Sequence, residues 1–338
     1  MSNRKLKVGV IGVGVLGRHH ARLYKECKNA ELIGIYDANE EAAKKISEEF
    51  GLKVFSTIKE LALECEALSI AVPATQHHRI AEVLLKMNKH LLIEKPLAAT
   101  VEQAGELVRL AENNNVVIEV GHTERYNPIM NFLDSRIVNA MFIEAKRLAP
   151  YPPPRPGSYP RGTEVGVVLD LMIHDLELIL HIVKSKVEKV EASGIHVLSK
   201  SEDIANARIV FKNGCVADVT ASRISDSPLR KTTIYQADSY ISLDYGEKSG
   251  FVFSKDKAGG LVKETVPVID QNALQIELEN FVTNSIEAIE TQKVPELKVS
   301  GKKGLEALRL AVKITEEIRR HNVKHNLAPI PHSVLNGF

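Results

Sequence analysis

Three glycines within six residues constrain this chain more than any other feature. Gly12-Val13-Gly14-Val15-Leu16-Gly17 follows an apolar, β-branched run at Lys7–Ile11 and opens a helical pattern from about Gly17 to Cys27. Asp37 closes the next apolar run, Glu31–Tyr36, 20 residues after Gly17. A strand, a glycine turn, a helix and a second strand ending in a carboxylate are the parts of a dinucleotide-binding βαβ unit. In such a unit Gly12 makes the tight turn, Gly14 lets a pyrophosphate reach the backbone, and Gly17 lets helix and strand pack closely. The N–H groups at the helix start, around Val15 and Leu16, then face the anion. Asp37 is expected to accept hydrogen bonds from ribose hydroxyls and to repel a 2′-phosphate. The following Ala38-Asn39 offers no arginine to hold one, which points to NAD rather than NADP.

The rest of the first third keeps the same rhythm. A helix is expected near Asn39–Phe50, a short strand around Val54, and apolar runs at Ala67–Val72, His90–Ile93 and Val116–Val120 separated by helical segments. Strands alternating with helices of this length predict a parallel, doubly wound sheet. After Gly121 the pattern changes. A helix is expected from Asn127-Pro128 to about Asn139, then a strand at Met141–Leu148, and then a loop, Ala149–Gly162, holding six prolines. Val167–Val183 reads as one mostly apolar helix. Strand after strand follows to Ile269, with Asn213-Gly214 as a hairpin turn, and amphipathic helices at Leu274–Ile289 and Lys303–His321 close the chain. The expected fold is α/β. An N-terminal doubly wound parallel sheet is followed by a C-terminal α+β domain with a large, mainly antiparallel open sheet, whose free face suits a subunit interface.

With 338 residues the chain has room for two domains at roughly 150 residues each. Lys and Arg together number 44 against 43 Asp and Glu, so no global field attracts nucleic acid or an anionic membrane. No window approaches the ~18 apolar residues of a membrane helix. Cys27, Cys65 and Cys215 lie far apart, as suits a reducing, cytoplasmic setting. The adjacent pairs His19-His20 and His77-His78, and the spacing of His174 and His181, match no zinc pattern, so no metal site is expected.

Two further motifs carry chemistry. Glu94-Lys95-Pro96 follows the run His90–Ile93 directly, and ligands of open α/β sheets bind at the carboxyl ends of strands. Lys95 can therefore orient a substrate hydroxyl there, or equally be a surface lysine in a strand–helix turn. In Asp170-Leu171-Met172-Ile173-His174-Asp175, Asp170 and His174 stand four apart and share one helix face. A carboxylate beside an imidazole is a usable acid–base pair, and also a common structural bridge. Arg147, Arg155 and Arg161 gather bidentate phosphate donors near the expected substrate mouth, unless they form a solvated basic loop.

Taken in order, VGVIGVGVLGRHHARLY, AVPATQHHRIAEVLL, LLIEKPLAATVEQA and VVLDLMIHDLELIL resemble the Gfo/Idh/MocA family of NAD(P)-dependent oxidoreductases over nearly the whole chain. The resemblance implies a Rossmann domain (residues 1–122) and a substrate-binding and oligomerisation sheet domain (residues 123–338), the last helices being free to pack back on the first. It also implies homodimers or homotetramers through the C-terminal sheet, and hydride transfer at a carbon–oxygen bond of a sugar or cyclitol. Lys95 matches the family's EKP lysine, with Glu94 beside it, and Asp170 and His174 match its D-x-x-x-H pair. Pro73 and His78 match a segment lining the nicotinamide side. GHTERYNP (Gly121–Pro128), with Arg125 and Tyr126, together with Arg147, Arg155 and DLMIHD, is most similar to the branch that oxidises the 3-hydroxyl of UDP-N-acetylglucosamine. A free-sugar or inositol dehydrogenase and a non-catalytic NAD sensor are the alternatives; a pure sensor has no need of Lys95, Asp170 and His174 together.

Overall fold

Five parallel strands form the centre of the first unit. They are β1 (Leu6–Ile11), β2 (Ala30–Tyr36), β3 (Ala67–Ile70), β4 (His90–Glu94) and β5 (Ile118–Gly121), in the order β2-β1-β3-β4-β5. The computed structural model describes residues 4–136, 138–153, 162–163, 165–256, 258–267 and 270–327. Helices α1 (Val15–Glu26), α2 (Glu40–Phe50), α3 (Ile58–Glu64), α4 (Ala74–Lys86) and α5 (Val101–Asn113) join the strands. The unit comprises Met1–Tyr126 with Asn272–Leu305, so it takes in α8 (Ala273–Thr291) and the first turn of α9 (Gly301–Lys324). Leu6, Val8 and Val10 face a core shared with Leu23 and Tyr24 of α1 and Leu278, Phe281 and Val282 of α8. Gly9, pointing the other way, lies under Leu61 of α3.

Local chemistry explains where these helices begin. Asn39, Thr57 and Thr100 accept from the backbone N–H groups of Ala42, Glu60 and Gln103, capping α2, α3 and α5. The first turn of α1 begins at Gly14 and has no side-chain cap, so its N–H groups face outward for something else.

The second unit, Asn127–Gln271 with Glu306–Phe338, is built on eight strands. These are β6 (Phe142–Leu148), β7 (Val187–Ile195), β8 (Ile204–Phe211), β9 (Val216–Ser222), β10 (Leu229–Tyr235), β11 (Ser239–Asp244), β12 (Ser249–Lys255) and β13 (Leu261–Thr265). Their order is β13-β12-β11-β10-β6-β9-β8-β7, and the β6–β9 pair alone is parallel. Gly214, at φ +86°, turns the β8–β9 hairpin as expected. Strand alternation sorts the faces: Ile143, Ala145 and Arg147 of β6 are buried, and α7 (Ile173–Val183) packs on that strand. On the opposite face Phe142, Tyr235, Tyr240 and Phe253 stand side by side across β6, β10, β11 and β12, with ring centroids 5.2–5.8 Å apart.

Three local expectations change. The helix expected from Asn127 to Asn139 shrinks to a short α6 (Met130–Asp134), preceded by a 3₁₀ turn at Thr123–Tyr126. Asn127 forms an Asx turn onto Ile129 N–H, and the Ser135 hydroxyl donates to the Phe132 carbonyl as the helix ends. The strand around Val54 is a single bridge to Ile35. The expected helix over Val167–Val183 starts as a π-turn, Val168–Met172, before α7 continues it.

Candidate active site

The three glycines of the turn do different work. Gly12 has φ +83°, and a Cβ on it would sit 2.7 Å from the Ala71 carbonyl oxygen. On Gly17 a Cβ would strike the Gly12 carbonyl, so these two residues serve the packing of strand on helix. Gly14 is different, because a Cβ there meets nothing within 4 Å. Its lack of a side chain keeps open the space in front of the uncapped N–H groups of α1, beside Val15, which is 59 % exposed. That is the geometry a pyrophosphate requires. Asp37 stands at the rim, accepting from Val13 N–H at 2.7 Å and Asn39 N–H at 2.8 Å, each oxygen keeping a lone pair for a ribose hydroxyl. The residues present therefore fit a dinucleotide.

Lys95 leaves the carboxyl end of β4, half-buried. Its charge reaches His122, just past β5. Burial, with Lys95 as the second cause, pushes that imidazole down to about 3, so it is neutral at any working pH. Glu94 lies inside, its Oε1 3.1 Å from Nε2 of the fully buried His20 and its carboxylate against Gly121. Of the adjacent histidines, His77 turns inward: Nδ1 lies 2.9 Å from the Pro96 carbonyl and Nε2 2.9 Å from the Val72 carbonyl. It thereby ties the turn after Lys95 to the turn carrying Pro73. His78 points outward, with Nε2 2.8 Å from Glu106 of α5.

The second unit presents Asp170 in the π-turn and His174 in the first turn of α7, both half-buried. π-turns recur at functional sites because the wider turn re-aims side chains. Arg147, however, has a partner the sequence reading did not foresee. It is 4 % exposed and grips Asp175 bidentately, from Nε at 2.8 Å and Nη2 at 2.9 Å. Such a pair holds α7 on β6 and occupies the fork that was expected to meet a phosphate. Tyr126 is likewise turned inward, its hydroxyl donating to Glu119 at 2.9 Å, and Arg125 is buried. Arg155 and Arg161 lie outside the described residues. Among the described residues no group of three metal-ligating side chains occurs. The sequence reading named His19-His20 and His77-His78 only as adjacent pairs without a zinc pattern and gave neither His20 nor His77 a structural role.

Comparison with known proteins places this geometry. Residues 6–122 match the family model described as "Oxidoreductase family, NAD-binding Rossmann fold", and residues 135–241 match the Gfo/Idh/MocA C-terminal domain. The chain is 33 % identical over 289 residues to a UDP-N-acetylglucosamine 3-dehydrogenase of Acidithiobacillus ferrooxidans, covering 84 % of this chain and 89 % of that enzyme. A solved structure of UDP-N-acetylglucosamine 3-dehydrogenase from that organism superposes with a TM-score of 0.84, covering 93 % of this chain and 98 % of the other. A myo-inositol 2-dehydrogenase of Thermotoga maritima is 26 % identical over 276 residues, 78 % of either chain. No described helix is long and apolar enough to cross a membrane.

Proposed function

The chain belongs to the Gfo/Idh/MocA family of NAD-binding oxidoreductases, and on that premise we propose that it oxidises a sugar secondary hydroxyl, the 3-hydroxyl of a UDP-N-acetylhexosamine, with NAD. The observation that carries the substrate is the 33 % identity, over most of both chains, to an enzyme named for that reaction. The cofactor, when bound, supplies the hydride acceptor. Gly14 and the start of α1 would hold its pyrophosphate and Asp37 its adenosine ribose, and Pro73 would line its nicotinamide side. Lys95 hydrogen-bonds the reacting oxygen and stabilises its alkoxide character. His174 takes the hydroxyl proton, and Asp170 holds the ring and favours its protonated form. Asp37 gives the preference for NAD, since a carboxylate there repels a 2′-phosphate. The row Phe142–Tyr235–Tyr240–Phe253 is the contact through which the chain forms a homodimer or homotetramer. Three buried free cysteines suit the reducing cytoplasm.

A free polyol substrate is the second reading, favoured by the occupation of Arg147 by Asp175. One experiment separates the two. The purified protein is given NAD with UDP-N-acetylglucosamine, free N-acetylglucosamine, inositol or glucose, with a glutamate-dependent aminotransferase present to remove a 3-keto product, while NADH absorbance is followed. Turnover of the UDP-sugar alone upholds the proposal. Turnover of inositol or a free sugar replaces it with the second reading.

A further inference from the structure

The chain entering the π-turn carries no recognisable motif, yet the second unit grips it with buried charge. Arg223, 2 % exposed, donates from Nη1 to the Gly162 carbonyl at 2.6 Å and from Nη2 to the Val165 carbonyl at 2.7 Å. Its Nε lies 3.7 Å from Asp203 Oδ1, and its backbone N–H donates to the Asp203 carbonyl at 2.9 Å. Asp203 is itself immobilised. Fully buried, it accepts from the N–H groups of Val197, Leu198 and Ser199 and from the Ser199 hydroxyl. One residue earlier, the Glu202 carbonyl takes the Val167 N–H at 2.9 Å, and its buried carboxylate packs on Gly166. Gly162, at φ +82°, rests directly against the Asp170 carboxylate, so closely that a Cβ would run into it. A line of contacts thus runs from Asp203 through Arg223 and the Gly162 backbone to Asp170.

We propose that Arg223, anchored by Asp203, is a positioning residue for the Asp170–His174 pair: it fixes the Gly162 backbone on which the Asp170 carboxylate rests, and so sets where that carboxylate stands toward the imidazole. This rests on the reading of Asp170 and His174 as the acid–base pair. An arginine is needed because its planar fork satisfies two carbonyls at once and prevents the segment from sliding, whereas a lysine ammonium is a point donor. Glycine is conformationally permissive, so its backbone needs an outside anchor, and any shift of Gly162 toward α7 displaces the carboxylate packed against it.

The test uses Arg223→Lys, which keeps the charge and loses the fork, and Gly162→Ala, which leaves the Arg223–Asp203 pair intact and pushes a methyl at Asp170. The readout needs no substrate: titration of the His174 ring by NMR of ¹⁵N-histidine-labelled full-length protein, assigned with His174→Gln. Asp170→Asn is the reference. Of the other charged groups on this helix, Asp175 is held by Arg147 and Glu177 is buried, and all three variants leave both unchanged. Losing a carboxylate neighbour lowers an imidazole pKa by roughly one unit or more. Arg223→Lys and Gly162→Ala should each move the His174 midpoint down by at least half the displacement seen in Asp170→Asn, with NADH affinity within about threefold of wild type and kcat roughly tenfold lower. If Asp170→Asn moves the midpoint and both folded test variants do not, the positioning role is overturned. If Asp170→Asn itself leaves the midpoint in place, the acid–base pair is wrong and the proposal falls with it.

Discussion

Two buried carboxylates of the first unit are met by neutral donors, whereas two of the second lie against arginines. Glu119 of β5 accepts from Asn284 Nδ2 at 2.7 Å and from the Tyr126 hydroxyl at 2.9 Å, and Glu277 of α8 accepts from the Thr123 hydroxyl at 2.8 Å. In the second unit Asp175 is held by Arg147 and Asp203 lies against Arg223. The difference follows the work each unit does. The proposed dinucleotide cradle is made from backbone, namely the start of α1 and an open Gly14, so it needs a rigid sheet and little fixed charge. The proposed acid–base pair is made from side chains on a helix that opens with a π-turn, and the Arg147–Asp175 pair ties that helix to the sheet.

The largest expected effects test whether each unit contributes one half of the chemistry. Lys95→Ala and His174→Ala should each cut kcat by roughly 10²–10⁴-fold, while NADH binding, followed by fluorescence, stays within about threefold. Equal losses in two variants from different units are what a shared reaction demands; wild-type turnover in either would assign catalysis to the other unit alone. Next comes the charged scaffold. Arg147→Met takes the bidentate guanidinium away from the buried Asp175, which should cost about 3–5 kcal/mol in chemical denaturation, and replacing both partners by apolar residues should recover most of it. Asn284→Ala, which removes one neutral donor from Glu119, should cost only about 1–3 kcal/mol. Equal costs at the two sites would erase the contrast drawn between the units.

Within the first unit, Gly14→Ala and Gly17→Ala divide binding from folding. The Gly14 methyl has free space in the protein, so thermal stability should hold while the NADH dissociation constant rises about tenfold or more, or roughly 1.4 kcal/mol, by crowding the pyrophosphate. The Gly17 methyl meets the Gly12 carbonyl, and that variant should lose stability and binding together. If Gly14→Ala binds NADH like wild type, the open space at Gly14 is not the pyrophosphate cradle.

These contrasts also show what was legible in the sequence. The glycine turn, Asp37, Lys95 and the D-x-x-x-H pair are local patterns, readable because spacing along the chain sets spacing in a strand–turn–helix unit. Partners far along the chain are not readable in that way. Arg147 looks like a phosphate donor until Asp175, 28 residues on, is found in its fork. Arg223 reaches back 61 residues to Gly162, and nothing in either neighbourhood announces it. Adjacent histidines pose the same difficulty on a smaller scale. His77 and His78 differ by one step around α4, and only the packing of that helix decides which ring turns in. The π-turn too was invisible, because its residues are as apolar as any α-helical run. What distinguishes it is the buried Glu202 carbonyl holding Val167 N–H and the glycines packed beside it.

The last contrast is the cleanest, because the two units should respond to acid with opposite sign. Burial pushes Glu119 up to about 6 from its ordinary 4.5, against the pull of Asn284 and Tyr126. The folded state therefore keeps a proton that the unfolded chain releases. Its contribution is fully present below 4.5 and is lost as pH rises through about 6, a change of roughly 2 kcal/mol. Asp203 behaves inversely. Burial opposes its charge, but the Ser199 hydroxyl and three backbone N–H groups outweigh burial and hold it below its ordinary 3.8, so its contribution is present above that value and disappears in stronger acid. Stability measured by urea denaturation from pH 3 to pH 7 should show both slopes. Glu119→Gln should remove the fall between 4.5 and 6 and leave the acid limb unchanged, while Asp203→Asn should flatten the acid limb and keep the fall. A wild-type curve that rises steadily through pH 6, unchanged by Glu119→Gln, would mean that Glu119 is ionised in the folded protein and that its neutral donors hold it charged, as those of Asp203 do.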